Sequence, residues 1–171
     1  RLYATALLKE NQISKACGIY ERLYRNGLLL PMDKLEYSKG LFISRAYSKA
    51  KDIALESRTV EGFYVAGLCY VNLKEWKKAN DNFIAYIKDK AKVTEFNVLA
   101  YFYKGYCEYC LEDYKNAYSS FVTIFDAPET SFPVESKKAI FISSAMSKLY
   151  ALMVAFTVVW AVTSLTGIAE T

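Results

Sequence analysis

The chain is 171 residues long, 53% of them apolar and 16% aromatic, which suits one domain with a real core and excludes intrinsic disorder. Its net charge is +4, with Lys and Arg interleaved among Asp and Glu instead of gathered in blocks, so nothing marks a nucleic-acid-binding face. There is no histidine, which removes the commonest general base, the His-paired nucleophiles and every His-containing metal site.

In chain order, the first predicted unit spans residues 1–30, with "ISKA" at 13–16, Tyr20 after it, and the breaker "RNG" at 25–27. The second spans 33–57, follows Pro31, and carries "YSKA" at 47–50 with Ala54 in place of an aromatic. The third, 60–90, contains "FYVAGLCYVNLKEWKKANDNF" at 63–83. Phe63, Ala66, Gly67 and Tyr70 form one stripe at helical spacing, and Trp76, Ala79, Phe83 and Tyr86 form its partner. The fourth, 97–128, contains "YFYKGYCEYCLEDYKNAYSSF" at 101–121. A shift of 38 residues superposes Gly67 on Gly105, Cys69 on Cys107, Trp76 on Tyr114, Ala79 on Ala117 and Phe83 on Phe121. The recurring alanines Ala16, Ala50, Ala79 and Ala117 stand 34, 29 and 38 residues apart, so the connectors vary in length.

No alternating strand pattern competes, and the expected fold is all-α: antiparallel helix hairpins stacked into a solenoid. Small residues let the paired helix axes approach, and aromatics fill the space between hairpins. After "APETSFP" at 127–133, a long hydrophobic helix is expected over 133–171. Within it, 149–169 reads "LYALMVAFTVVWAVTSLTGIA" without a charge, long enough to cross a bilayer or to close the array as a buried helix. If it inserts, Lys137, Lys138 and Lys148 before it put the repeats on the cytoplasmic side. The start at Arg1, without Met or a signal-peptide pattern, fits a fragment or a processed product.

Cys17, Cys69, Cys107 and Cys110 are too few and too scattered for a disulfide framework, and suit free thiols in a reducing compartment. The Cys-x-x-Cys pair Cys107 and Cys110 falls at the end of a predicted helix with no strand before it. A thioredoxin-like pair follows a strand and opens a helix, and a zinc site needs two further ligands. These thiols are therefore expected to pack as small hydrophobes. No phosphate-binding glycine loop and no carboxylate cluster with metal spacing stands out. The expectation is a protein that is not an enzyme, with no catalytic residue, cofactor, metal or small-molecule substrate.

A small residue in one helix, followed by Ala and an aromatic in the next, resembles the tetratricopeptide repeat (TPR). Gly67 and Gly105 match the small position; Ala79 with Phe83, Ala117 with Phe121 and Ala16 with Tyr20 match the second helix; Pro128 lies near the terminating proline. The resemblance covers residues 1 to about 130 and is sharper in the last two units, since Gly40 falls out of register in the second. It implies a superhelix whose first helices line a groove, with Glu61, Tyr64, Leu68, Val71, Leu99, Phe102, Tyr106 and Tyr109 facing it. The Lys, Arg and Asn that clamp a carboxylate tail in one TPR subclass are missing there. An apolar or helical partner segment is the implied guest, and packing against a helix of the same chain or a second copy is the competing role. Two layouts follow from the resemblance. One is a scaffold similar to tail-anchored TPR adaptors, on the cytoplasmic face of the mitochondrial outer membrane or the ER. The other is a soluble subunit of a large complex in the cytosol or nucleus, similar to N-terminal modules of anaphase-promoting complex TPR subunits, which homodimerises through this region.

Overall fold

The computed structural model describes residues 2–88 and 95–126. The expected C-terminal helix, with its candidate anchor 149–169, and Pro128 lie outside the described residues. Among the described residues all regular structure is helical: α1 (Leu2–Lys9), α2 (Ile13–Arg25), α3 (Pro31–Ile43), α4 (Tyr47–Glu56), α5 (Val60–Asn72), α6 (Trp76–Lys88), α7 (Glu95–Cys110) and α8 (Tyr114–Asp126). No helix among them is long and apolar enough to cross a membrane.

Consecutive helices pair as hairpins, and four hairpin turns share one hydrogen-bonded form. Asn11, Arg45, Lys74 and Glu112 each adopt a left-handed backbone, with φ of 60°, 61°, 60° and 62°. In the third turn, Lys74 N donates to Val71 O at 3.0 Å and Glu75 N to Tyr70 O at 2.9 Å; the other three turns repeat both bonds. This is the Schellman arrangement, which satisfies carbonyls left over at a helix end. The next residue then accepts the first bond of the second helix: Ala16, Ala50, Ala79 and Ala117 donate to Gln12, Ala46, Glu75 and Asp113 at 2.9–3.1 Å. Each alanine is buried.

Twelve residues before each alanine the first helix carries a small buried residue: Ala4, Ser38, Gly67 and Gly105. A Cβ at Gly67 would lie 2.8 Å from the Phe83 ring, and one at Gly105 would lie 2.9 Å from the Phe121 ring. The glycines therefore permit the close crossing on which each ring sits. Ser38 fills the position in the second hairpin, its buried Oγ donating to Leu35 O at 2.6 Å. Gly40 serves a different contact. A Cβ there would meet Cys17 Sγ at 2.9 Å and Leu8 Cδ2 at 3.2 Å, so its absence lets α3 close on the preceding hairpin.

Pro31 opens α3, where its missing N–H costs nothing, and the Asp33 carboxylate accepts Leu30 N at 3.0 Å. Thr59 caps α5 by accepting Gly62 N at 3.1 Å. Each second helix then packs on the first helix of the following hairpin, α2 on α3, α4 on α5 and α6 on α7. First helices also touch, α3 with α5 and α5 with α7, whereas α4 and α6 make no contact of that extent. The row of first helices is therefore the inner side of a curved array, the arrangement that gives solenoids a concave face.

Candidate protein-docking face

Three first helices, α3, α5 and α7, contribute to this inner face, and their register follows from the small positions. Six residues before them stand Met32, Glu61 and Leu99. Met32 is 59% exposed, Leu99 42%, and Glu61 is exposed in the first turn of α5. Ile43, eleven residues after Met32 and so three turns along the same side of α3, is also 59% exposed. Between them Lys39 pairs with Glu36 at 2.7 Å.

The aromatic members of the expected groove are half-buried, and their rings rest on the array itself. Tyr64 packs on Phe83 and Tyr86, with ring centroids 6.0 and 5.2 Å apart. Burial, with Tyr103 and Tyr86 beside it, pushes its hydroxyl up to about 12. Phe102 leans on Phe121 at 6.1 Å, and Tyr106 meets Trp76 edge-on at 5.7 Å across the α6–α7 junction. Tyr109 meets Tyr114 at 5.7 Å. Leu68 and Val71 are half-buried against the core. Of the eight residues singled out in the sequence, Glu61 and Leu99 are thus exposed and the other six are partly taken up by internal packing. Met32 and Ile43 complete the exposed set. Sequence reasoning misses both, because Ser38 stands where the later repeats carry glycine; counting back from Ala50 places them.

The charged clusters elsewhere are internal ties. Glu21 on α2 accepts from the Tyr37 hydroxyl of α3, from Lys49 of α4 at 2.5 Å and from Arg25 at 2.9 Å. Hydrogen bonds from Lys49 and Tyr37 hold its carboxyl down to about 2. Tyr20 stacks on Tyr37 at 5.7 Å beside this network, and Tyr24 donates to Glu56 at 2.9 Å. In the fourth hairpin Glu108, 4% exposed, replaces the aromatic found at Tyr70. It is satisfied by Lys104 at 2.5 Å and by Ser120 of α8 at 2.6 Å, a buried pair that fixes α7 on α8.

Cys107 and Cys110 occupy the last turn of α7 as free thiols, with Cys107 fully buried. Burial pushes the Cys107 thiol up to about 12 and raises Cys110 as well, against a hydrogen bond from Tyr106 that lowers it. A helix C-terminus favours cations over thiolates, so this pair has the opposite of an activating environment. Among the described residues no three His, Cys, Asp or Glu side chains converge as metal ligands do.

Neither a family model nor a curated protein matches this sequence. Solved structures of MamA, a TPR-like protein, do match the fold. MamA residues 41 to the end from Desulfovibrio magneticus RS-1 align with a TM-score of 0.62 and 14% identity, over 72% of this chain and 70% of that one. A double mutant of RS-1 MamA gives 0.63 and 15% over the same shares, and MSR-1 MamA gives 0.62 and 17% over 72% of each chain. At these identities the likeness is one of fold, and it places this chain among all-helical arrays with TPR-like neighbours.

Proposed function

We propose that this protein is a protein-interaction scaffold that docks an apolar or helical segment of a partner on the face of its first helices. The observation that carries the reading is the exposure of Met32, Ile43 and Leu99 on one side of α3 and α7, where a stacked array has no internal use for them. Leu68, Val71, Tyr64, Phe102, Tyr106 and Tyr109 form the half-buried floor between them, and Glu61 supplies a charge at the edge. The TPR-like fold supports the same reading, because such arrays present extended surfaces and carry no fixed chemistry. In this reading segment 149–169, which is free of charge, holds the scaffold on the cytoplasmic face of the mitochondrial outer membrane or the ER.

Site-specific photo-crosslinkers at Met32 or Leu99, compared with one at exposed Lys77 on α6, test the docking face in cells. The expected result is a discrete adduct from the first two positions, lost in Ile43→Asp and absent from the third. Equal labelling from all three positions would remove the reading. Alkaline carbonate extraction of the chain with and without 149–169 tests the anchor; release of both into the supernatant would dismiss it.

A further inference from the structure

The connector between the first two hairpins turns apolar side chains outward. α2 ends in the same Schellman arrangement as the hairpin turns, here on a glycine: Gly27 has φ of 67°, Gly27 N donates to Tyr24 O and Leu28 N to Leu23 O, both at 2.9 Å. The chain then runs extended at Leu30, with φ −77° and ψ 165°, and Pro31 opens α3. Leu29 is buried and pins the connector to the core, while its neighbours Leu28 and Leu30 are 57% and 55% exposed. Leu30 is also the N-cap of α3, and its side chain caps nothing. Asp, Asn, Ser or Thr would accept a helix N–H there, and leucine is among the poorest choices. An exposed leucine where a polar residue would stabilise the fold marks a use outside the fold.

The charges around the connector select the partner. Helices alternate in direction, so connectors 26–30 and 57–59 lie at the same end of the array. Glu56 accepts from Tyr24 at 2.9 Å and from Lys34 at 3.0 Å, which makes the two connectors neighbours. The carboxylates at this end are thus engaged: Glu56 by that pair, Glu21 by Lys49, Tyr37 and Arg25, and Asp33 by Leu30 N. Arg22 and Arg58 are exposed and make no ion pair among the described residues. Cations are therefore in surplus beside an apolar tip. A groove seats a peptide or a helix, but these leucines stand on the outside of a turn. We propose that this connector docks the protein on an anionic lipid surface, with Leu28 and Leu30 entering the boundary between headgroups and acyl chains and Arg22 and Arg58 meeting lipid phosphates. The contact does not depend on insertion of 149–169 or on a guest at the first helices.

An environment-sensitive fluorescent amino acid at Leu28 of the full chain tests this on vesicles of phosphatidylcholine mixed with phosphatidylserine. Its emission is expected to shift to the blue and to be quenched by lipids brominated along the acyl chain. The same probe at Lys77, near the hairpin-turn end of α6, should stay in water. Leu30→Asp gives α3 a better cap and so keeps the fold, yet it should raise the lipid concentration for half-maximal shift about tenfold. Arg22→Gln with Arg58→Gln should raise it about tenfold as well, at low salt. An equal response on pure phosphatidylcholine would overturn the anionic assignment. Sedimentation of the chain with vesicles while the Leu28 probe stays in water would assign attachment to 149–169 and overturn the proposal. A blue shift with soluble cell extract and none with vesicles would give the connector to a protein partner and overturn it too.

Discussion

At Gly67 the backbone of α5 passes so close to Phe83 that a single methyl group has no room. Gly67→Ala must displace the ring from its place between Tyr64 and Tyr103, where centroids lie 6.0 and 5.7 Å away. Overpacking of this kind costs about 1–3 kcal/mol. The shift in urea midpoint measures it, and Phe83→Leu in the same chain should recover part of the loss. The thiols follow the same logic of burial. Because their environment raises them, Cys69 and Cys107 are expected to react with a disulfide reagent at neutral pH only as fast as the array opens. Half-buried Cys17 and Cys110 should react first. Glu21 titrates the other way. Its folded value, about 2, lies below the ordinary 4.5, so its stabilising bonds are complete above about pH 4.5 and are lost as the pH falls towards 2. Solvent screening at this partly exposed side chain keeps the effect on the order of 1 kcal/mol. Melting temperatures between pH 5 and 2.5 should fall less steeply for Glu21→Gln than for the parent chain. An identical slope would remove Glu21 from the acid response.

At the scale of helices, the repeat is legible in the sequence wherever glycine marks it. Gly67 with Phe83 and Gly105 with Phe121 give a sharp signal, because the ring and the missing side chain are two halves of one contact. The first two hairpins use Ala4 and Ser38 at the same position, and neither residue announces a close crossing. Gly40, the glycine that does stand out there, serves the neighbouring hairpin instead. The hairpin turns are illegible for a related reason. Their left-handed residues are Asn11, Arg45, Lys74 and Glu112, none of them glycine, and the signal lies only in a constant five-residue step to the following alanine. Each costs about 1 kcal/mol in steric strain for that conformation. Lys74→Gly should therefore stabilise the chain by about 0.5 kcal/mol or more, the relief exceeding the added freedom of the unfolded chain. Chemical denaturation checks the sign. A loss of stability would mean that Lys74 makes a compensating contact. The candidate face is half legible. The resemblance to tetratricopeptide repeats implies the groove-facing stripe that carries Tyr64, Phe102 and Tyr106. It does not tell which edge of that stripe packs on Phe83, Phe121 and Trp76 and which edge is left to solvent.

Across the whole described array, each hairpin touches its neighbours and little else, so stability is a sum of hairpin terms and junction terms. The α6–α7 junction concentrates one such term in Trp76, whose indole meets Tyr106 edge-on at 5.7 Å and packs against the core. Tyr103 supports the same junction by stacking on Phe83 at 5.7 Å with rings 13° apart. Trp76→Ala removes the larger contact while leaving the Schellman turn before it and Ala79 after it intact. Because the indole is only half-buried, the cost should be about 2 kcal/mol, below that of a fully buried Trp. Where that cost falls decides whether the array is coupled. If the junction transmits stability, native-state hydrogen exchange will speed up throughout α7 and α8 while α1 to α4 keep their protection. Uniform acceleration over all the helices would show one cooperative unit instead. Acceleration confined to the first turn of α6 would show that Trp76 carries no coupling at all. The first outcome also bears on docking, since Leu99 and Glu61 stand on opposite sides of this junction. A loosened junction should then weaken a guest that spans α5 and α7 without altering any residue that touches it.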